Sequence, residues 1–441
     1  MDGLIIILIF AVLLILNVPI AISLGVSSIA YIFFFSNGLP VDLIIQSYFS
    51  GVDSFSLLAV PFFIMTGDIM LEGGISKRLI NFCKVMMGKS TGALGKITVV
   101  ASAIFAAISG SGPATVACIG GIMIPAMEED NYDKGFACAI SAAAGALGPL
   151  IPPSISFIMY GVIAGQSVTD LFLAGIIPGI LLALILVVFT HIAAKKRKWG
   201  TEEAIFDYPG QKIVPIRQEE KIRPAKAFKD AIWAVMVPVI ILGGIYGGIF
   251  TPTEAAVVAV DYAVLVSIYV YRELRWKDLP RVISKSGLTC GTCLILVSSA
   301  TAFGRVLTME QIPTMIAQAI TSFSDNWIVV LLLINIFLLI VGLLMETLAA
   351  IIILTPILLP VVTALGVNPI HFGVIMVMNL VIGQGTPPVG VNTFVACRIG
   401  GIKMEAMFKW LFMSIGVSIA ALMLVTYVEP FSLVLVNLFE G

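Results

Sequence analysis

Two clusters of oxygen-bearing residues have the types and spacing that suit a small cation, and a constant offset along the chain relates them. Each joins a short Gly-, Ser- or Thr-containing turn to a later stretch in which glycines stand beside a double proline. A sodium ion takes several oxygen ligands, which hydroxyl groups and unpaired backbone carbonyls supply. We predict sodium ligands at Ser109, Ser111, Gly112, Gly145 and Gly148 in the first cluster, and at Glu346, Thr347, Gly383, Gly385 and Thr386 in the second.

The double prolines interrupt apolar stretches at matching places, in Gly148-Pro-Leu-Ile-Pro-Pro153 and Gly383-Gln-Gly-Thr-Pro-Pro388. A double proline removes two backbone donors and blocks the preceding turn, so a helix that carries it must open there. Inside a membrane, opened backbone persists only where protein or a water-filled cavity receives its polar groups. Two such breaks in corresponding halves indicate the binding site of a transporter.

Composition and charge define the class of protein. Hydrophobic residues fill 59% of the 441 positions and charged residues only 12%, which is typical of a polytopic membrane protein. The net charge of −1 gives no indication of a nucleic-acid partner. The segment from Lys195 to Lys229 holds ten basic residues, so we place it in the cytoplasm. All of the 25 basic residues except Arg305 then fall on the inner side, and both termini fall on the periplasmic side.

The apolar pattern predicts an all-α polytopic membrane protein with about ten spanning helices and two re-entrant hairpins. The arms of the first hairpin are predicted to be too short to cross alone. We predict these elements at 97–127 for the first hairpin, 135–165 for the first broken helix, 327–362 for the second hairpin and 371–399 for the second broken helix.

The two halves repeat each other. We assign 1–169 to the first repeat, 170–230 to a linking helix and basic loop, 231–400 to the second repeat and 401–441 to a C-terminal helix. Five spans separate equivalent elements, and an odd number makes the repeats inverted. The hairpins then enter from opposite faces, which is typical of secondary transporters with a site at the middle of the membrane.

The ends of the broken helices are candidate substrate contacts. Helix N-termini such as those at Pro113 and Val389 present positive dipole ends to an anion. We predict substrate contacts at Thr115, Ser154, Asn392, Thr393 and Arg398. Arg398 could contact a substrate carboxylate or anchor its helix at the inner face, and Glu346 could tune a cation site or cap the next helix. The glycines and serines of a hairpin tip could also serve only to permit a tight turn.

Four motifs in order resemble a known family: Gly110-Ser-Gly-Pro-Ala-Thr-Val-Ala117, Pro149-Leu-Ile-Pro-Pro-Ser154, Gly248-Ile-Phe-Thr-Pro-Thr-Glu-Ala255 and Gly385-Thr-Pro-Pro-Val-Gly-Val-Asn392. Together they are similar to the large membrane subunit of tripartite ATP-independent periplasmic (TRAP) transporters, the DctM or SiaM type. The resemblance covers essentially the whole chain.

This resemblance implies an elevator-type carrier in the bacterial inner membrane, surrounded by membrane lipid and driven by a sodium gradient. It implies two protein partners, a small four-helix membrane subunit and a periplasmic substrate-binding protein. The first apolar stretch begins at once, so we expect the small subunit on a separate chain. Members move organic acids such as C4-dicarboxylates, sialic acid and other sugar acids. The alternative is a stand-alone secondary carrier for organic anions. We expect no enzymatic activity and no cofactor beyond the coupling ion Na⁺.

Overall fold

The computed structural model describes residues 4–16, 18–36, 40–88, 90–215, 224–312, 314–315, 326–387 and 390–440, and every regular element in them is helical. Within these residues, eight helices are long and apolar enough to cross a membrane, or nine if the bent pair Lys134–Leu150 and Ile155–Ala164 counts as one span. The prediction of an all-helical polytopic protein is confirmed. Pro388 and Val389 of the second break lie outside the described residues.

One group of helices comes from the start of each half, and its members pack on one another. From the first half it contains α1 Leu4–Ile15, α2 Ile20–Phe34, α3 Asp42–Ser50, α4 Ala59–Glu72 and α5 Ile75–Met87. From the second half it contains α13 Pro224–Tyr246, α14 Pro252–Leu265 and α15 Leu279–Met309. We call this group the outer bundle.

The remaining helices form the inner bundle, which holds both hairpins and both broken helices. Its first part consists of α6 Ala93–Ser109, α7 Gly112–Thr115, a π-helical turn Val116–Gly120, α8 Gly121–Glu129, α9 Lys134–Gly145, α10 Leu147–Leu150, α11 Ile155–Ala164 and α12 Val168–Arg197. Its second part consists of α16 Trp327–Leu344, α17 Thr347–Ala364, α18 Pro369–Gly383, α19 Val391–Gly400, α20 Phe408–Tyr427 and α21 Pro430–Glu440. The two parts therefore share one order of elements, a hairpin followed by a broken helix.

Both breaks occur where the prolines and glycines predict them. The first broken helix stops at Leu150, and Ser154 caps its continuation by accepting a hydrogen bond from the Phe157 N–H at 3.2 Å. The two segments around this break are bent by 43°. The second broken helix stops at Gly383 and resumes at Val391.

The second hairpin is longer than the prediction. Its second arm, α17, continues through Pro360 and ends at Ala364, whereas the predicted hairpin ended at residue 362. A proline removes one backbone donor, yet a helix inside a membrane protein tolerates this when its neighbours satisfy the freed carbonyl. Both arms of this hairpin therefore reach 18 residues, the length of a short span.

Ion pairs tie α4 to α15 within the outer bundle. The Asp68 carboxylate accepts from the Lys285 ammonium at 2.8 Å and from the Ser286 hydroxyl at 2.8 Å. One turn further along α4, Glu72 pairs with Arg281 of α15. These contacts join one helix of each half and compensate the charge of Asp68 beside the cavity described below.

Glycines permit the close approach of the second hairpin to the second broken helix. A Cβ added to Gly342 of α16 would lie 2.7 Å from the Leu380 carbonyl oxygen and 2.9 Å from its Cα. A Cβ added to Gly383 would lie 2.7 Å from the backbone of Gly342. Backbone atoms cannot yield as a flexible side chain does, so any larger residue separates the two helices.

We predict that Gly342→Ala lowers the stability of the purified protein, because the new methyl group must push α16 away from α18. Overpacking of this kind costs about 1–3 kcal/mol. Thermal unfolding in detergent measures the loss. Gly287→Ala is the matched control, since Gly287 also lies inside a helix and a Cβ there meets nothing within 4 Å. Equal unfolding temperatures for the two variants would contradict this packing.

Candidate functional site

A cavity of about 440 Å³ lies between the two bundles and is bordered by both hairpin tips. The outer bundle contributes parts of α4 and α15 to its wall. The inner bundle contributes the first tip around Ser111, the second tip around Glu346, and one residue or more of each break. Hydroxyl groups of the wall belong to Ser109, Ser111, Ser156, Thr289, Thr292 and Thr347. The structure thus brings the tip residues of both predicted clusters to one cavity, whereas the predicted glycines of the breaks and Thr386 do not border it.

The first hairpin tip closes on itself through three polar residues. The Ser111 N–H donates to the Ser109 hydroxyl at 3.4 Å, the hydroxyls of Ser109 and Thr115 lie 3.2 Å apart, and the Thr115 hydroxyl donates to the Ser111 carbonyl at 2.8 Å. Gly110 between them has φ +58°, the left-handed conformation that glycine adopts without strain. A hydroxyl oxygen has two lone pairs, so Ser109 and Thr115 each keep one for a further partner. The tip therefore serves as a turn and still offers oxygen ligands.

The first break packs directly on this tip. A Cβ added to Gly148 would lie 2.5 Å from the Ser111 carbonyl oxygen and 2.8 Å from the Gly112 nitrogen. Only glycine allows this approach, which places the end of the half-helix beside the hairpin backbone. The Ser154 hydroxyl donates to the Pro149 carbonyl, so Ser154 stabilises the break itself.

Asn392 crosses from the second half into the first cluster. A Cβ added to Gly112 would lie 3.0 Å from its Oδ1, and a Cβ added to Gly145 would lie 3.0 Å from its Nδ2. The side chain is fully buried, and neither amide atom has a hydrogen-bond partner among the described residues. A buried amide without partners is costly, so these atoms fit a position beside a bound ion or an ordered water. The structure thus places Asn392, predicted as a substrate contact, beside the first predicted cluster.

The second hairpin tip is capped by Glu346. Its carboxylate accepts from the N–H groups of Leu348 at 3.0 Å and Ala349 at 3.2 Å, which is the capping role considered from the sequence. The same carboxylate borders the cavity. The neighbouring Thr347 hydroxyl is buried and has no partner in the described part of the chain. One oxygen at this tip therefore remains available to a ligand.

The second break is held by two threonines. The Thr386 hydroxyl donates to the Ile382 carbonyl at 3.1 Å, and the Thr393 hydroxyl donates to the Gly385 carbonyl at 2.8 Å. Gln384 lies between the two predicted glycines and borders the cavity, with an Oε1 that is buried and without a partner in the described residues. Sequence reasoning missed this residue, although a polar amide inside the glycine motif was a usable signal.

The predicted substrate residues lie away from the cavity wall. Thr115, Ser154 and Thr393 are buried and hydrogen-bonded within the tip or the breaks, and Asn392 lies behind the first tip. Arg398 is exposed in the last turn of α19. The role of these five residues in substrate binding stays a prediction. The wall instead includes Thr289 and Thr292 of α15, whose place depends on how the bundles pack.

The charge of the described cavity wall is negative. It contains the carboxylates of Asp68 and Glu346 and no Lys, Arg or His among its described residues. Lys285 compensates Asp68, whereas Glu346 has no ion pair in the described part of the chain. An anion that enters the cavity therefore meets hydroxyl and amide groups and one uncompensated carboxylate.

Two hairpins and two broken helices around one cavity define a polytopic membrane protein of the transporter class. The chain has a similar fold to the YdaH transporter of Alcanivorax borkumensis, with a TM-score of 0.63 at 14% identity, covering 98% of this chain and 99% of that one. This likeness concerns the fold alone.

The family follows from the sequence comparison. Residues 7–431 match the family described as the tripartite ATP-independent periplasmic transporter, DctM component, and the chain belongs to this family. It is 46% identical to the isethionate TRAP transporter permease protein DctMQ of Oleidesulfovibrio alaskensis, covering 95% of this chain and 64% of the length of that relative. It is 37% identical to the C4-dicarboxylate TRAP transporter large permease protein DctM of Rhodobacter capsulatus, covering 99% of both chains.

We predict that Asn392→Leu abolishes most of the thermal stabilisation that sodium gives the purified protein. Leucine has the same number and branching of side-chain heavy atoms and removes both unpartnered amide atoms, so the unfolding temperature in potassium chloride should change little. The rise in unfolding temperature when sodium replaces potassium measures binding to the folded state, and it should fall by more than half.

Asn379→Leu is the control for this experiment. Asn379 is also fully buried on the second broken helix, but its amide donates to Asn335 at 2.6 Å and to the Ile375 carbonyl at 2.8 Å. Its loss should lower the unfolding temperature in both salts and leave the sodium shift in place. A full sodium shift in Asn392→Leu would remove Asn392 from the cation site.

Proposed function

We propose that this chain is the large permease subunit of a sodium-coupled TRAP transporter that imports an organic acid delivered by a periplasmic binding protein. The observation that carries the proposal is the single cavity bordered by both hairpin tips and both breaks. Membership of the DctM family supports the two partners, a small four-helix membrane subunit and the binding protein. The distribution of basic residues supports an inner-membrane location with periplasmic termini.

The charge of the cavity supports coupling to a cation. An organic acid and an ionised Glu346 carboxylate would carry like charges and would repel each other across the cavity. The cavity wall has no described basic side chain to offset this repulsion. Sodium ions at the hairpin tips would offset it, so the anion and the cations would bind together.

The two-bundle arrangement supports an elevator mechanism. The cavity separates the outer bundle from an inner bundle that carries both tips and both breaks. A movement of the inner bundle against the outer one would carry the ions and the substrate as a unit, with the binding groups kept in place. Rigid-body movement of one group of helices around a fixed site is the general way in which such carriers alternate access.

For the substrate, the proposal is an organic acid of the C4-dicarboxylate, sialic acid or sugar-acid kind. The two relatives compared above are named for isethionate and for C4-dicarboxylates. A stand-alone carrier for organic anions, without a binding protein, is the second candidate, and the same reconstitution distinguishes the two.

Uptake by proteoliposomes that contain both membrane subunits tests the function. We expect accumulation of labelled organic acid only with an inward sodium gradient and the cognate binding protein. Ser111→Leu should abolish uptake without loss of protein, because the larger leucine side chain would lie in the hairpin tip that borders the cavity. Ala117→Leu, on the exposed side of the same hairpin, is the control and should retain uptake. Uptake that persists without the binding protein would favour the stand-alone carrier.

A second variant tests the role of charge at the cavity. Glu346→Gln keeps an oxygen that can accept from the Leu348 and Ala349 N–H groups, but it removes the negative charge. We expect the sodium concentration for half-maximal uptake to rise about tenfold, equivalent to about 1.4 kcal/mol of lost cation binding. Sodium titration of uptake measures this shift. An unchanged titration, with normal amounts of protein, would exclude Glu346 as a contributor to cation binding.

A further inference from the structure

A groove of about 570 Å³ lies between α12 and α20, away from the cavity, and we call it the α12/α20 groove. Its apolar part is formed by Leu184, Val188, Ile192, Met413 and Val417. Leu184, Val188 and Ile192 are more than half exposed, at 57%, 55% and 59%. In a protein that spans a membrane, exposed aliphatic side chains of this kind face acyl chains.

One end of the groove is basic. Lys196 and Arg197 from the last turn of α12 and Lys409 from the start of α20 line this end. Asp207 pairs with Arg197 at 3.1 Å and with Lys409 at 2.9 Å. Lys196 is exposed and has no ion pair among the described residues. This end of the groove thus has three cations, of which Asp207 pairs with two, and a net positive charge remains beside the apolar part.

Trp410 lies at the junction of the apolar and basic parts. Its ring lies 5.8 Å from the Arg197 guanidinium carbon and 5.4 Å from the Lys409 ammonium. Its indole N–H is buried and has no acceptor in the described part of the chain. Trp410 is buried against Phe136 and Trp199, so its ring forms a rigid part of the groove wall beside the basic end.

The length of the groove suits one leaflet. With a rise of about 1.5 Å per residue, the stretch from Leu184 to Lys196 spans about 18 Å. Half of a hydrocarbon core is about 15 Å thick. A spanning helix of a partner protein would need a surface about twice as long, whereas an acyl chain needs only one leaflet.

We propose that the α12/α20 groove binds an anionic phospholipid. Its phosphate lies at Lys196 and Lys409, beside Trp410, and one acyl chain follows Val188 toward Leu184. The basic end belongs to the side of the membrane with nearly all basic residues, so the lipid comes from the cytoplasmic leaflet. Basic pockets between membrane helices on this side recognise anionic headgroups in the same way.

Native mass spectrometry of the full chain in detergent tests the proposal, with added phosphatidylglycerol and phosphatidylcholine that carry identical acyl chains. The double variant Lys196→Gln/Lys409→Gln is compared with Lys195→Gln/Lys403→Gln, which removes the same charge from exposed neighbours outside the groove. Each cation near the surface contributes about fivefold to the affinity for an anionic lipid. We expect about 25-fold weaker phosphatidylglycerol binding in the first double variant and less than twofold change in the second.

A steric variant makes the test independent of the Asp207 ion pairs. Val188→Trp fills the apolar part of the groove and should reduce binding of phosphatidylglycerol while every charge remains. If Lys409→Gln disturbs folding, the phosphatidylglycerol binding of the single variant Lys196→Gln can be compared with that of Lys195→Gln. Equal binding of the two lipids by the native chain, equal losses in the two double variants, or undiminished binding in Val188→Trp would overturn the proposal. The proposal would also be overturned if a co-purifying protein protected the thiol of Val188→Cys from labelling and phosphatidylglycerol did not.

Discussion

Opened helical backbone inside a hydrocarbon layer is the constraint on which the structure depends. Each break frees carbonyl and N–H groups that the surrounding lipid cannot satisfy. The chain meets this requirement by packing a hairpin tip against each break. Gly148 allows the first contact with Ser111, and Gly342 with Gly383 allows the second. The cavity is the place where groups that remain unsatisfied can meet ions and substrate.

The two clusters reach this arrangement with different chemistry. The first tip is a ring of neutral groups, and its open position is completed by Asn392 from the other half. The second tip carries the Glu346 charge at the start of α17 and an unpartnered Thr347 hydroxyl. Related positions in the two halves therefore present unlike polar groups, and the first cluster has an amide from the other half of the chain beside it.

The sequence was sufficient for features that depend on local backbone chemistry. Prolines and glycines located both breaks, and Glu346 caps α17, which is one of the two roles considered for it. Ser154, predicted as a substrate contact, instead caps the continuation of the first broken helix. Features that depend on packing between distant segments were not predictable in the same way. No sequence pattern near Asn392 predicts that its side chain approaches Gly112. Similarly, α15 borders the cavity only because the two bundles meet there. The continuation of α17 through Pro360 likewise depends on neighbours rather than on the proline itself.

In the proposed transport step, the hairpin tips and breaks bind sodium together with an organic acid. Simultaneous uptake of radioactive sodium and labelled substrate by the same proteoliposomes, in the presence of the binding protein, tests this coupling. We expect sodium to enter with the substrate in a constant ratio of at least one, and neither to enter in the absence of the other. Substrate entry at full rate without sodium entry would contradict it.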